Sequence, residues 1–496
     1  MTADSFIGWL ESVVAAQPAT TAVRFGAESW SYAQLSSRSA QLAGGIRSLP
    51  SFSEGCRVGL VGANTPDYLA AYLGVIRAGA VVVPLNDRDT AQDLASQLGL
   101  VDAIGCLVGE LGPDLGAELA GHHTCWPIAA MAAQNGSPPA ARVASDPAVI
   151  LLTSGSTGRP KGVVHTQQTL LHAALQVALV MPFGRGDVSI AFLPFFASAP
   201  EQVFPTLLTG GALEILPRFS VEGVCEAAIG ATSFDCVPTI MARLLREGAR
   251  DKLAHLRWIA FASEPMPPSL LEQWWEAFPA MRTFQLYGMT ELLTITHAPP
   301  ELLVRDPGTV GVPFSTSEVQ IVDDDVRAVP RGVEGQVICR SPARMAGYWN
   351  DPKATAQATT PEGAICTGDI GRLDDGGALY LLGRSKDLII SGGLNISPAE
   401  IEAIACTHPR ISAAAAIGVP DERWGETPVI VAVSTLGETL TPGEVLEHCR
   451  SRLRGYKRPS AAVVVPALPV TGIGKLAKSE LRKAILGGDL TVVRAS

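Results

Sequence analysis

The chain has 496 residues, 47% of them apolar, and a formal net charge of -10; at about 100 to 200 residues per domain it holds more than one domain and a large buried core. The acidic balance argues against general nucleic-acid binding, which needs a basic face. Nine scattered cysteines, without C-x-x-C or zinc spacing, point to reduced thiols in a cytoplasmic protein, and neither a signal sequence nor a membrane span is expected.

In chain order, Arg57-Val58-Gly59-Leu60-Val61 reads as a strand. Thr65-Pro66 supplies an N-cap and a proline at the first helical position, the helix runs to about Arg77, and Gly79 stops it. Ala80 to Pro84 predicts the next strand, completing a βαβ unit. Further on, the apolar run Val149-Ile150-Leu151-Leu152 empties into Thr153-Ser154-Gly155-Ser156-Thr157-Gly158-Arg159-Pro160-Lys161-Gly162, ahead of a predicted helical stretch. Glycines let backbone N–H groups turn inward, hydroxyls add small donors and Lys161 adds a cation, so the loop suits phosphate. Pro160 stands where Walker A needs glycine before the lysine, and G-x-G-x-x-G is also absent.

Strands near 188–193, 213–216, 234–237, 258–261 and 283–286 alternate with helical patterns and predict parallel sheets covered on both faces. From about Glu318, short strands broken by Asp, Gly and Pro turns predict a β-rich subdomain, about 317–385. After Gly383-Arg384-Ser385-Lys386-Asp387 a new unit begins, with a helix from Ser397-Pro398, strands near 413–419 and 429–433, and a helix from Pro442. The expected boundary at Lys386 gives domains 1–385 and 386–496. No internal repeat appears, which argues against a solenoid.

Tyr287-Gly288-Met289-Thr290-Glu291 follows a predicted strand, where open α/β sheets bind their ligands. The tyrosine offers a face to a purine, the threonine a phosphate donor and the glutamate a hard oxygen for Mg2+. Together with the loop at 153–162, this motif resembles the signature of the adenylate-forming superfamily: acyl- and aryl-CoA synthetases, firefly-type luciferases and peptide-synthetase adenylation domains. The resemblance extends from about Ala22 to Lys483. It implies an α/β fold: a large N-terminal domain of two doubly wound α/β layers plus the β-rich subdomain, and a small mobile α+β C-terminal domain.

The resemblance also implies roles. Thr153, Ser154, Gly155, Ser156, Thr157 and Gly158 would hold phosphates beside Lys161, and Ser263-Glu264-Pro265 would form the adenine-contacting turn with Tyr287, Gly288 and Met289. Ser263 stands where glycine is common. Asp369, in Thr367-Gly368-Asp369, would grip the ribose diol, for which a carboxylate has two acceptor oxygens, and Arg384 would assist. Lys386 would be the hinge, while Gly392 and Gly393 would let a thiol-bearing arm pass. In Pro469-Val470-Thr471-Gly472-Ile473-Gly474-Lys475, Lys475 would bridge carboxylate and α-phosphate as charge develops. The catalytic set implied is Lys475, Thr290, Glu291 and Lys161, with Glu291 also the Mg2+ ligand.

Pro194-Phe195-Phe196-Ala197-Ser198 departs from the pattern. Many acyl-CoA synthetases carry histidine at the position of Ala197, and peptide-synthetase domains carry at Phe196 the aspartate that clamps an α-amino group. An unpartnered buried ammonium costs several kcal/mol, on the order of the penalty for an unpaired ion, so an α-amino acid is disfavoured. Phe195, Phe196, Ser198 and Phe261 are the expected pocket wall for an apolar or aromatic acid. Arg450, Arg452, Arg454, Lys457 and Arg458, read as lacking an acidic partner, suit CoA phosphates, the acidic face of a carrier protein, or simply a solvated helix face. The expected reaction uses ATP and Mg2+ to form acyl-AMP and pyrophosphate, then passes the acyl group to a thiol. An acyl- or aryl-CoA ligase fits first. The alternative is a stand-alone enzyme that loads a phosphopantetheinyl carrier protein or another nucleophile. A monomer or homodimer is expected.

Overall fold

Local chemistry sets the frame between Arg57 and Leu85. In the computed structural model, which describes residues 4–131, 143–153, 160–392, 394–435, 437–469 and 476–494, strand Arg57–Val61 leads to helix Pro66–Ala78 and strand Val81–Leu85. Thr65 accepts a hydrogen bond from the Tyr68 N–H, Pro66 opens the helix, and Gly79 closes it at φ +86°, a left-handed conformation that costs glycine little. The two strands pair in parallel, Val58 beside Val82. The helix was placed within a residue, and the second strand is shifted by one.

The contacts divide the chain into two compact units. The first is Met1–Ser263, Gln273–Val319 and Cys339–Ile365; the second is Glu264–Glu272, Gln320–Ile338 and Cys366–Ser496. This division falls ahead of Lys386, since residues 366–385, expected in the N-terminal domain, group with the C-terminal ones.

Among the described residues the first unit holds two large sheets. One runs, in spatial order, Val312–Pro313, Thr296–Ala298, Arg282–Tyr287, Trp258–Phe261, Ser233–Cys236, Val188–Ala191, Ala212–Ile215, Thr21–Phe25 and Glu28–Ser31. Its middle strands are parallel, as the alternation of strand and helix patterns predicts. The other runs Gly347–Tyr348, Lys161–Thr166, Pro147–Thr153, Val81–Leu85, Arg57–Val61, Ala103–Val108 and Cys125–Pro127. A single apolar core joins both, with Leu60 and Val82 from one sheet, Leu213 and Ile215 from the other, and Tyr72 and Phe204 among the helices. The Tyr72 and Phe204 rings meet edge to face at 5.5 Å.

One expectation is corrected here. The segment after the Ser/Gly/Thr loop is a strand, not a helix: Lys161–Thr166 runs antiparallel to Pro147–Thr153, with Thr153 opposite Lys161. Val163 and Val164 favour the pleated backbone, and the helix Gln167–Val180 starts only after its cap, Thr166.

In the second unit, Ile411–Asp421 pairs antiparallel with Gly425–Ser434, which is joined in parallel by Ala461–Val465. Helices Pro398–Cys406 and Pro442–Arg452 supply Ile401 and Val445 to a core with Ile389 and Ile430. Ile365–Leu373 and Leu379–Arg384 pair antiparallel in a separate four-stranded sheet. Among the described residues no helix is long and apolar enough to cross a membrane.

The cap at Thr65 gives a direct check on this frame. Thr65→Ala is expected to cost about 1 kcal/mol, measured as a lower urea midpoint, whereas Thr65→Ser keeps the midpoint.

Candidate active site

Thr153 and Lys161 face each other across the antiparallel pair and so fix both ends of the connection between them. Ser154, Gly155, Ser156, Thr157 and Gly158 lie outside the described residues. Lys161 places its Nζ 4.6 Å from the centroid of the Tyr348 ring, a cation–π contact. The Tyr348 hydroxyl in turn donates to Glu291 Oε1 at 2.7 Å. Burial, reinforced by Glu291, pushes the Tyr348 phenol well up, so it stays a donor. One side chain thus ties the cation expected to meet phosphate to the carboxylate expected to meet metal.

The backbone around this link is tightly held. Tyr348 lies opposite Val163 in the antiparallel pair Gly347–Tyr348 with Lys161–Thr166, and Met345 N–H donates to Glu291 O at 2.7 Å. Tyr287 lies opposite Thr296, so the Tyr287 to Glu291 motif belongs to a connection that folds straight back into the sheet. Space there is short: a Cβ on Gly288 would stand 1.9 Å from Leu293 O. His165, fully buried, sets its Nε2 2.7 Å from Thr290 O and its Nδ1 3.2 Å from Thr169 Oγ1. A carbonyl only accepts, so the proton belongs on Nε2. Burial lowers the imidazole to about 4, against the opposing pull of the Thr290 carbonyl.

Sequence reasoning missed both Tyr348 and His165. Gly347-Tyr348-Trp349 offered a signal, a pair of aromatics after glycine, and Trp349 N–H also donates to Gly162 O at 2.7 Å. His165 gave none, being one polar residue in an apolar strand.

Ser263 has φ +72°. For a residue with a Cβ this conformation costs roughly 1–2 kcal/mol, which explains why glycine suits the position. Glu264 and Pro265 follow it in the chain. Of the expected pocket wall, Phe195 and Phe261 are closed into the core at 2% and 1% exposure. Phe195 packs 6.2 Å from Tyr68, and its N–H donates to Asn64 Oδ1 at 2.9 Å. Only Phe196 and Ser198 keep accessible surface.

In the second unit Asp369 lies opposite Arg384. The guanidinium Nε is 3.4 Å from Asp369 Oδ1, and the carboxylate is largely buried. Thr367 Oγ1 accepts from Asp369 N–H at 3.1 Å and donates to Val337 O at 2.8 Å. Lys386 lies in the short turn Ser385–Asp387. Gly392, at φ +60°, donates its N–H to Trp424 O at 2.7 Å, and a Cβ there would come within 2.9 Å of the indole. An open cavity of about 500 Å³ lies beside it, lined by Gly392, Trp424, Arg450, Tyr456 and Arg458 among others. The basic cluster needs one correction, because Lys457 has an acidic partner, Glu400, at 2.6 Å. Gly393 and Lys475 lie outside the described residues.

Comparison with known proteins gives the family. Residues 10–349 match the model of the AMP-binding enzymes and residues 400–475 that of the AMP-binding enzyme C-terminal domain. A feruloyl-CoA synthase of an Amycolatopsis species is 34% identical over 482 residues, covering 94% of this chain and 96% of that one. ATP-bound MatB from Rhodopseudomonas palustris superposes with a TM-score of 0.90 at 28% identity, covering 97% and 98% of the two chains. The o-succinylbenzoate CoA synthetase of Bacillus subtilis, in complex with ATP and magnesium ion, gives a TM-score of 0.85 at 26% identity over 95% and 98%. The chain belongs to the AMP-binding, adenylate-forming enzymes. Within that class it is an AMP-forming acid–thiol ligase. The residues present fit Mg2+, since Glu291 would offer it a hard oxygen, with Oε1 fixed by the Tyr348 hydroxyl.

Three outcomes are expected. Gly288→Ala lowers acid-dependent ATP–pyrophosphate exchange by about 10²-fold, the scale of a 1 Å misplacement. Ser263→Gly raises the unfolding midpoint by up to about 1 kcal/mol equivalent. The third concerns pH. Folding holds His165 at about 4, below the roughly 6.5 of the unfolded chain, so the unfolded state binds the extra proton between these values. The stability from a neutral His165 is therefore complete above pH 6.5 and lost as pH falls toward 4; urea midpoints of His165→Gln should fall less steeply over that window.

Proposed function

We propose that the first unit carries out acyl-adenylate formation with Thr290, Glu291 and Lys161, and that the protein is an acyl- or aryl-CoA ligase acting on an acid with a largely apolar body. The observation that carries the reading is the chain of contacts Lys161, Tyr348 and Glu291. In the first step the substrate carboxylate attacks the α-phosphorus of ATP, and pyrophosphate leaves. Lys161 steadies the leaving phosphates, Thr290 donates to phosphate, and Lys475 balances the charge that develops between carboxylate and α-phosphate. Glu291 would hold Mg2+, which supplies charge neutralisation on the phosphates when bound. Ser263, Glu264, Pro265, Tyr287, Gly288 and Met289 hold the adenine, and Asp369 with Arg384 the ribose. Thr153 to Gly158 wrap the phosphates.

In the second step the C-terminal part turns about Lys386, and a thiol enters past Gly392 and Gly393. The proposed seat for the CoA nucleotide is the cavity beside Trp424 and Tyr456. Its volume of about 500 Å³ lies in the usual range for small-molecule sites. Arg458 brings charge for phosphate, while Trp424 and Tyr456, both exposed near half, offer faces for a base. A cytoplasmic location is part of the proposal and is supported by nine cysteines outside any disulfide.

The test is pyrophosphate release from Mg-ATP with a panel of aryl, fatty and amino acids, with and without CoA. Acid-dependent release that rises with CoA and yields an acyl-CoA is expected. Release indifferent to CoA would favour a carrier protein as acceptor. Trp424→Ala and Arg458→Ala are each expected to raise KM for CoA about tenfold more than KM for ATP, the effect of losing about 1.4 kcal/mol of contact with CoA alone.

A further inference from the structure

The first large sheet carries, beside the candidate pocket, a carboxyl group that no step above uses. Asp235 is the third residue of strand Ser233–Cys236, whereas strands buried on both faces are normally apolar throughout. The parallel strands Val188–Ala191, Ser233–Cys236, Trp258–Phe261 and Arg282–Tyr287 end along one edge. The Phe195–Ser198 turn, Ser263 and the Tyr287 to Glu291 motif follow those ends in the chain. Asp235 is one residue from the end of its strand, close to the edge where such sheets bind ligands. Its register partner, Ala260, packs with Trp258 and Phe284 against Val177 of helix Gln167–Val180 and Met181 just beyond it.

The group that meets Asp235 comes from the segment directly after Phe195–Ser198. There the chain forms a π turn, Ala199–Val203, a distortion frequent at functional sites. It brings Gln202 into hydrogen bonding with Asp235, with Glu201 close enough to act on it electrostatically. Gln202 Nε2 donates to Ile190 O at 3.1 Å. Asp235 Oδ2, Gln202 Oε1, Ser189 Oγ and Ser233 Oγ are all buried without a partner, on residues 8%, 1%, 1% and 0% exposed. Ser189 and Ser233 are register partners, on the same face as Asp235. Burial, then the nearby Glu201, push the Asp235 carboxyl up to about 8, against the opposing effect of Gln202. Each buried group left unpaired costs roughly 1–3 kcal/mol, so a patch of them marks a place that something else satisfies.

We infer that Asp235, together with Gln202, reads a hydrogen-bond donor on the acid substrate, a hydroxyl or an amine set away from the α-carbon. The inference rests on the ligase reading and specifies its acid. A neutral Asp235 has one O–H to give, but its carbonyl oxygen and Gln202 Oε1 only accept, so the patch still calls for N–H or O–H and a wholly apolar acid leaves it unsatisfied. The placement also accounts for Phe196: an α-amino group loses its counter-charge on the turn, while a donor farther along the acid finds an acceptor oxygen on the neighbouring strand.

The test compares kcat/KM for pyrophosphate release with 3-phenylpropanoate and its 4-hydroxyphenyl, 3-amino and 4-methoxyphenyl counterparts, in wild type, Asp235→Leu and Asp235→Asn. Wild type is expected to favour a hydroxy or amino acid over the unsubstituted and methoxy acids by at least about tenfold, as sites built to bond a donor do. The better of the two donor acids separates hydroxyl from amine. Asp235→Leu abolishes the preference with little change in KM for ATP, and its melting temperature is equal or higher because a buried carboxyl with one unpaired oxygen is gone while Gln202 keeps its bond to Ile190 O. Asp235→Asn keeps an acceptor oxygen and part of the preference. A wild type that treats donor and methoxy acids alike, or an Asp235→Leu enzyme that keeps the preference, overturns the inference and leaves the ligase reading intact. A wild type that releases no pyrophosphate with any acid in the panel or the wider set above removes both.

Discussion

The Tyr348 side chain is the contact on which the site depends. Its ring lies under the Lys161 ammonium and its hydroxyl bonds Glu291, so two groups of opposite charge share one rigid aromatic support. The three residues come from separate parts of the chain, and the strand Gly347–Tyr348 brings them together by pairing with Lys161–Thr166. A lysine or glutamate on a free loop would lose rotamer entropy, up to roughly 2 kcal/mol, each time it met a nucleotide. Here much of that ordering is built into the fold.

The groups around this support have little room to move. Gly288 has no room for a Cβ, and the Thr290 carbonyl receives the His165 N–H. His165 is held neutral by burial, which suits a residue that donates one hydrogen bond to the Thr290 carbonyl. In the second unit, Asp369 and Arg384 sit across a strand pair, with Thr367 tying their strand to Val337. Lys161, Tyr287, Asp369 and Arg384 thus stand on strands, which gives the precision that catalysis by positioning requires.

Much of this was legible in the sequence where the cause is local. Thr65-Pro66 and Gly79 announce their helix because caps act over a few residues. The Tyr287 to Glu291 and Thr153 to Lys161 motifs announce the family because each is a short run of neighbouring residues. What was not legible depends on distant partners. Tyr348 meets Glu291 across 57 residues and His165 meets Thr290 across 125. The strand after the signature loop is set by its antiparallel partner as much as by Val163 and Val164. Phe195 and Phe261 read as pocket wall because an aromatic beside a motif looks the same whether it faces substrate or core. Asp235 was passed over because one acid in an apolar strand carries no motif at all.

The most direct measurement is the Mg2+ dependence of acid-dependent ATP–pyrophosphate exchange in Tyr348→Phe. That change keeps the ring beneath Lys161 and removes only the hydroxyl that holds Glu291. The account predicts that the Mg2+ concentration for half-maximal exchange rises several-fold, with the fold unchanged. Exchange with wild-type rate and wild-type Mg2+ dependence would contradict it.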